Sequence, residues 1–148
     1  MPTDPIDEQI LTKIQARLAG LTSGATYFYT PGEVLRDWKN WDEVRSFPFY
    51  GVIEGRRTRP IDTFTAVAAQ LTVTIVGWIK SESNRRSVLN RAIADVIRAV
   101  YVDESWDALA LITKVPEIVT DEAAVVAKPH AYFELTLEIE YQLDRTQA

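Results

Sequence analysis

Glu134, Glu138 and Glu140 are the residues of this chain whose type and spacing most invite a chemical reading. In an extended strand, residues an even number apart share one face, so the three carboxylates project to the same side. Carboxylates do acid–base work when opposed partners hold them at a set distance and drive their pKa values apart. A carboxylate-metal enzyme is the corresponding alternative. No opposed partner stands at a recognisable spacing, and the face reads more simply as a polar surface. His130 is the single histidine, set between Pro129 and Ala131. A general base needs a nucleophile and an orienting acid. Neither stands at a motif spacing, and His130 reads as a loop residue at the start of a strand.

Other polar groups are equally plain. Asp103-Glu104 and Asp121-Glu122 are acidic pairs in predicted loops, without the spacing of a calcium loop. The chain has no cysteine, which removes disulfides, thiolate nucleophiles and Cys-based zinc sites. Its six glycines are scattered, and none forms a phosphate-cradling loop. The reading is of a chain with no catalytic residues, no cofactor and no metal site. Two features point to contacts instead. Arg56, Arg57 and Arg59 cluster in a predicted polar loop, where they can grip a phosphate backbone or an acidic neighbouring subunit. Trp78 falls on the strand face opposite Leu71, Val73 and Ile75. It is either an exposed interface aromatic or lies under the irregular stretch Val34–Arg45.

The elements that position these residues follow from periodicity. Ile6, Ile10, Ile14 and Leu18 make one stripe of a helix over Pro5–Ala19, with Asp4 as its cap and Gly20 as its stop. Leu21–Ser46 matches neither period; a short strand at Tyr27–Tyr29 and one helical turn are expected there. Phe47–Glu54 and Phe64–Lys80 alternate as strands around the loop Gly55–Asp62, forming an extended hairpin. Ser81 or Ser83 caps a helix that runs to about Val100, with Leu89, Ala92, Ile93, Val96 and Ile97 on its apolar face. Ala108–Val119 contains a strand that Pro116 confines to a sheet edge. Asp121–His130 is a loop with an apolar insert, Ala123–Ala127. Ala131–Leu143 alternates throughout, with Phe133, Leu135, Leu137, Ile139, Tyr141 and Leu143 on one face and Tyr132, Glu134, Thr136, Glu138, Glu140 and Gln142 on the other. Such a strand has one face packed on helices and one outside the core. Residues 144–148 form a frayed tail. The sum is one α+β domain over 1–148: a two-layer sandwich of two main helices on one face of a mixed or antiparallel sheet of about four to five strands.

At 148 residues, with 47% hydrophobic and 25% charged residues, the chain is long enough to bury a real core. Its net charge of −5 argues against wrapping nucleic acid, which needs clustered cations. The N-terminal residues are acidic and open no apolar run, and no stretch approaches the ~20 apolar residues of a membrane span. A protein made in a cytoplasm, with no membrane contact, is the expectation.

The order of segments in the second half resembles the tail terminator, or tail completion, proteins of long-tailed bacteriophages. The residues that carry the likeness are Leu71-Thr-Val-Thr-Ile-Val-Gly-Trp-Ile-Lys80, Asp95-Val-Ile-Arg-Ala-Val100, Ile118-Val-Thr-Asp-Glu122 and Phe133-Glu-Leu-Thr-Leu-Glu-Ile-Glu-Tyr141. Where the family carries a glycine-rich turn after the second helix, this chain has Glu104-Ser105-Trp106-Asp107. The resemblance implies a structural virion protein: a homo-oligomeric ring, usually a hexamer, that ends growth of the tail tube and presents a surface to the head–tail connector. Its partners would be further copies of itself, the tail tube protein, connector proteins and, in contractile tails, the sheath. DNA would pass through the ring without specific binding. On that reading Arg56, Arg57, Arg59 and Trp78 contact a neighbour, and Glu134, Glu138 and Glu140 face the channel. Another head–tail joining protein, and a binding module using Trp78 and the arginine loop, are the remaining alternatives.

Overall fold

A computed structural model describes residues 2–62, 66–120 and 129–144; of 59–62, 66–68 and 143–144 only the backbone is described. Asp121-Glu122, the insert at 123–127 and residues 145–148 of the tail lie outside the described residues. The elements are α1 (Ile6–Ala19), β1 (Glu33–Leu35), a 3-10 turn (Trp41–Glu43), β2 (Phe49–Asp62), β3 (Ala66–Lys80), α2 (Arg85–Val102), β4 (Ile112–Thr120) and β5 (His130–Asp144). They build the α+β sandwich: a five-stranded mixed sheet in the order β1-β2-β3-β5-β4, with β1 parallel to β2 and every other pair antiparallel.

β3 and β5 pair without a break, from Ala66 opposite Asp144 to Lys80 opposite His130. Their even alternation sends Leu71, Val73 and Ile75, with Leu135, Leu137 and Ile139, to the face covered by both helices. There they meet Ile10, Leu11, Ile14 and Leu18 of α1 and Leu89, Ala92, Val96 and Val100 of α2, all buried. Gly77 is required on this face, because an added Cβ would collide with the Phe133 ring packed across it. β4 is an edge strand, with its register broken between Lys114 and Glu117 around Pro116. A proline costs least at such an edge, where its missing N–H leaves no ladder bond unmade.

Several boundaries differ from expectation. The Gly55–Asp62 segment is not a loop but the second half of β2, paired to β3 through two register shifts. Charged side chains mask the strand in the sequence; Arg56 and Arg57 are exposed there. The Tyr27–Tyr29 stretch is not a strand: only an isolated bridge joins Ser23 and Tyr27, and the first strand is β1. Asp95 explains this. It is the one carboxylate of α2, it is buried, and its two oxygens accept the backbone N–H groups of Phe28 (2.9 Å) and Tyr29 (3.0 Å). Those donors are thereby taken from any ladder. α1 starts one residue later than expected, after Pro5, with no side-chain cap; α2 starts after Asn84, whose N–H is bonded by Ser81 Oγ at 3.3 Å.

The two helices are tied at one corner. Arg17 of α1 donates to the carbonyls of Ala99 (3.2 Å), Val100 (3.4 Å) and Asp103 (2.8 Å), filling orphan acceptors at the C-terminus of α2. Its guanidinium also lies 3.8 Å over the buried Trp106 ring. The turn that follows puts Trp106, Asp107 and Ala108 in the left-handed region at φ 51°, 60° and 66°. Asp103 organises it. Its carboxylate accepts the Ser105 hydroxyl and the N–H groups of Ser105 and Asp107. These bonds, the Ser105 hydroxyl first, lower its pKa from 3.8 to about 2.

Left-handed backbone costs a residue with a Cβ roughly 1–2 kcal/mol, part of which glycine returns as unfolded-state entropy. Ala108→Gly is therefore expected to raise stability by about 0.5–1 kcal/mol in urea denaturation. Asp103 has a depressed folded-state pKa, so its contribution is present above 3.8 and is lost as pH falls towards about 2. The stability gap between the wild type and Asp103→Asn should close across that window in pH-dependent denaturation.

Candidate interaction surfaces

The outer face of the sheet, away from the helices, divides into a covered half and an open half. Residues 36–48 cross the first half as a strap. Beneath it Val44, Phe49, Val76, Trp78 and Tyr132 form a second buried core, flanked by Leu35, Trp41, Phe47 and Ile53. Trp78 is thus fully buried and not an exposed aromatic contact, which corrects the first of its two readings. Its indole Nε1–H donates to the Lys39 carbonyl at 2.8 Å, and its ring lies 4.5 Å from that of Tyr132. A buried indole needs one acceptor, and the strap supplies it.

Further bonds hold the strap. Asn40 and Glu43 form a capping box around the 3-10 turn. Arg36 makes a two-pronged ion pair with Glu8 of α1 at 2.8 and 3.1 Å, which lowers the Glu8 pKa and raises that of Arg36. Lys39 pairs with Glu33 at 2.7 Å. Trp41 and Phe47 pack against His130 with ring centroids at 4.8 and 5.4 Å. His130 therefore begins β5 as a buried member of an aromatic cluster. Gly51 lets the strap approach: an added Cβ would collide with the Asp37 carbonyl oxygen.

The acidic row is not uniform. Glu134 is half-buried at the strap's edge and accepts the Tyr132 hydroxyl at 2.8 Å; Tyr132 in turn accepts the Trp38 indole N–H at 3.1 Å. Burial of the Tyr132 phenol, and the charge of Glu134 beside it, raise its pKa. Glu138 and Glu140 lie on the open half. Glu138 sits between Thr72 of β3 and Lys114 of β4, and Glu140 between Gln70 and Ile112. Glu138 is half-buried between these neighbours, and Glu140 is exposed.

The arginine cluster also separates. Arg56 and Arg57 are exposed residues of β2 and not of a loop tip. Arg57 is engaged within the chain, with Asp7 of α1 at 2.8 Å and with Glu54. That pairing was not legible, because Asp7 is distant in sequence. Arg56 carries no ion pair among the described residues; the side chain of Arg59 lies outside them. Among the described residues no three His, Asp or Glu side chains converge as a metal-ligand group. Among the described residues no helix is long and apolar enough to cross a membrane. Other exposed apolar groups are Phe28, Trp38, Tyr101, Val102, Leu111 and Ile118.

Comparison with protein-family models and with curated proteins finds no match for this chain. The surfaces must be read from their own chemistry: a strap locked by two indole hydrogen bonds, an open acidic sheet face, and scattered aromatic and arginine side chains.

Gly51→Ala is expected to push the strap off the sheet and lower stability by about 1–3 kcal/mol, the usual cost of forcing extra volume into a packed site. Chemical denaturation measures the loss, and the Trp78 indole N–H resonance should move in the same variant.

Proposed function

We propose that this chain is a structural virion protein of the tail-terminator type, a homo-oligomeric ring, hexameric by the family's habit, that caps the tail tube. On this reading the tube stops growing beneath the ring, and the opposite side receives the head–tail connector, with the sheath as a further neighbour where tails contract. The protein is assembled in the host cytoplasm, resides at the neck end of the tail, and performs no chemistry of its own. The observation that carries the reading is the long β2–β3–β5 ladder with two helices on one side and, beyond the strap on the other, the acidic pair Glu138 and Glu140. That architecture supports the resemblance in segment order described above.

The open half supports a role beside moving DNA. Glu138 and Glu140 present carboxylates with only Lys114 directly opposite in register. An acidic wall repels phosphate and gives a strand nothing to adhere to. Glu134 contributes less, since its carboxylate already accepts the Tyr132 hydroxyl. Arg56, exposed on β2, remains suited to a neighbouring subunit or tube protein.

Purified protein added to growing tail tubes should limit their length and appear at one tube end by electron microscopy. A protein that neither binds tubes nor limits them would sink the proposal. Changing Glu138 and Glu140 together to Lys should slow DNA ejection while leaving the fold intact, because both side chains lie away from either core; normal ejection from such particles would remove them from the channel.

A further inference from the structure

α2 is charged in one sense only. It carries Arg85, Arg86, Arg91 and Arg98, and its single carboxylate, Asp95, is buried and consumed by backbone donors. Arg91 and Arg98 are seven residues apart, so they lie on one ridge of the helix. Both are exposed, and neither makes an ion pair with a carboxylate among the described residues. Arg91 lies 5.5 Å over the ring of Phe28, and Arg98 donates to the Thr26 carbonyl. Phe28 is 50% exposed, and Tyr101 and Val102, at the end of α2, are 50% and 66% exposed. Arginine beside exposed aromatic rings is the composition of energetic centres in protein interfaces, not of an idle surface.

The strap, on the opposite layer of the sandwich, has the complementary composition. Trp38 is 41% exposed there, although its indole N–H is bonded to Tyr132. Asp37 and Asp42 beside it are exposed and make no ion pair among the described residues. One face thus offers arginines and aromatic rings, and the other offers the exposed Asp37, Asp42 and Glu43 around an exposed indole, an acidic excess over Arg45, the exposed cation of the strap. Because they lie on opposite sides of one chain, two copies can satisfy them only head to tail, and such a contact repeats into a closed ring or a filament.

We infer that the Trp38 strap of one copy docks on the Arg91–Arg98 ridge of a second copy. Asp37 and Asp42 meet the two guanidinium groups, and the Trp38 ring packs on the exposed ring of Phe28 beside Arg91. This deepens the ring reading and rests on it for closure. It leaves Glu138 and Glu140, on the other half of the sheet face, free to border the channel.

The test is a charge exchange on the full-length chain, read by sedimentation and native mass spectrometry. The wild type should form one discrete oligomer that falls to monomer as salt is raised, since solvent-exposed charge pairs are screened. Arg91→Glu with Arg98→Glu, and separately Asp37→Lys with Asp42→Lys, should each remain monomeric while keeping the wild-type circular dichroism. An equimolar mixture of the two variants should recover the oligomer with subunits alternating, because each variant restores what the other lost. Assembly by either variant alone, no recovery on mixing, or a wild type that is monomeric at millimolar concentration would each overturn the inference. If a variant fails to fold, the salt series on the wild type decides, and an oligomer indifferent to molar salt counts against the contact. Tube capping separates the two proposals. Variants that cap tubes as well as the wild type overturn the contact alone, whereas an oligomer that obeys the exchange but never caps a tube overturns the terminator reading alone.

Discussion

The unbroken antiparallel ladder between β3 and β5 is the constraint on which the rest of the molecule depends. Each strand is 15 residues long, and their register never shifts. Side chains on such a ladder alternate strictly, so one choice of register assigns every residue of both strands to a face. A slip by one residue would send Leu135, Leu137 and Ile139 to the outer side and the glutamates under the helices. Burying unpaired carboxylates costs far more than the chain can spare, which makes that register the only stable one. Around this axis β2 and β4 add as flanks, and the two helices close the apolar side.

The outer side shows how a sheet face can be half core and half surface. From Phe49, Val76, Trp78 and Tyr132 the apolar character stops at the Glu134–Thr136 level, and the strap ends with it. Its hold is polar as well as apolar. The Trp78 indole N–H, buried beneath the strap, has its acceptor in the Lys39 carbonyl, and leaving such a donor buried without it costs about 1–3 kcal/mol. The Trp38–Tyr132–Glu134 chain carries that hold to the border of the open face. Strap and acidic surface are in this way coupled through one phenol.

Charge is distributed by layer. α1 spends its charges inside the chain: Asp7 on Arg57, Glu8 on Arg36, Lys13 on Asp107 and Arg17 on the end of α2. α2 differs: its one carboxylate, Asp95, is spent on the backbone of Phe28 and Tyr29, and Arg91 and Arg98 stay exposed without an acid beside them in an ion pair among the described residues. Net charge of −5 conceals this division, since it sums over an acidic outer layer and a basic helical ridge. A polar arrangement of that kind favours ordered, directional association over random clumping, because like faces repel.

Much of this was legible in the residues themselves. The alternation of Phe133 to Tyr141 against Tyr132 to Gln142 identified β5 and its helix-facing side, because a strand's period is local. The other side reads as lying outside the core, but Tyr132 there is buried under the strap. The stripe of Leu89, Ala92, Ile93 and Val96 identified α2 in the same way, and Pro116 announced an edge. What local pattern did not decide was who covers whom. Trp78 reads the same whether it faces water or a strap, and only the Lys39 carbonyl, 39 residues away, settles the matter. Arg57 reads as a loop cation until Asp7 is brought beside it, and Tyr27–Tyr29 reads as a strand until Asp95 takes its donors. Periodicity is a property of neighbours along the chain, so the sequence by itself determined the elements and their faces. Burial and pairing between distant segments are properties of the assembled fold, and they alone decided that in the acidic row of β5 Glu140 is exposed while Glu134 is bonded to Tyr132 at the strap's edge.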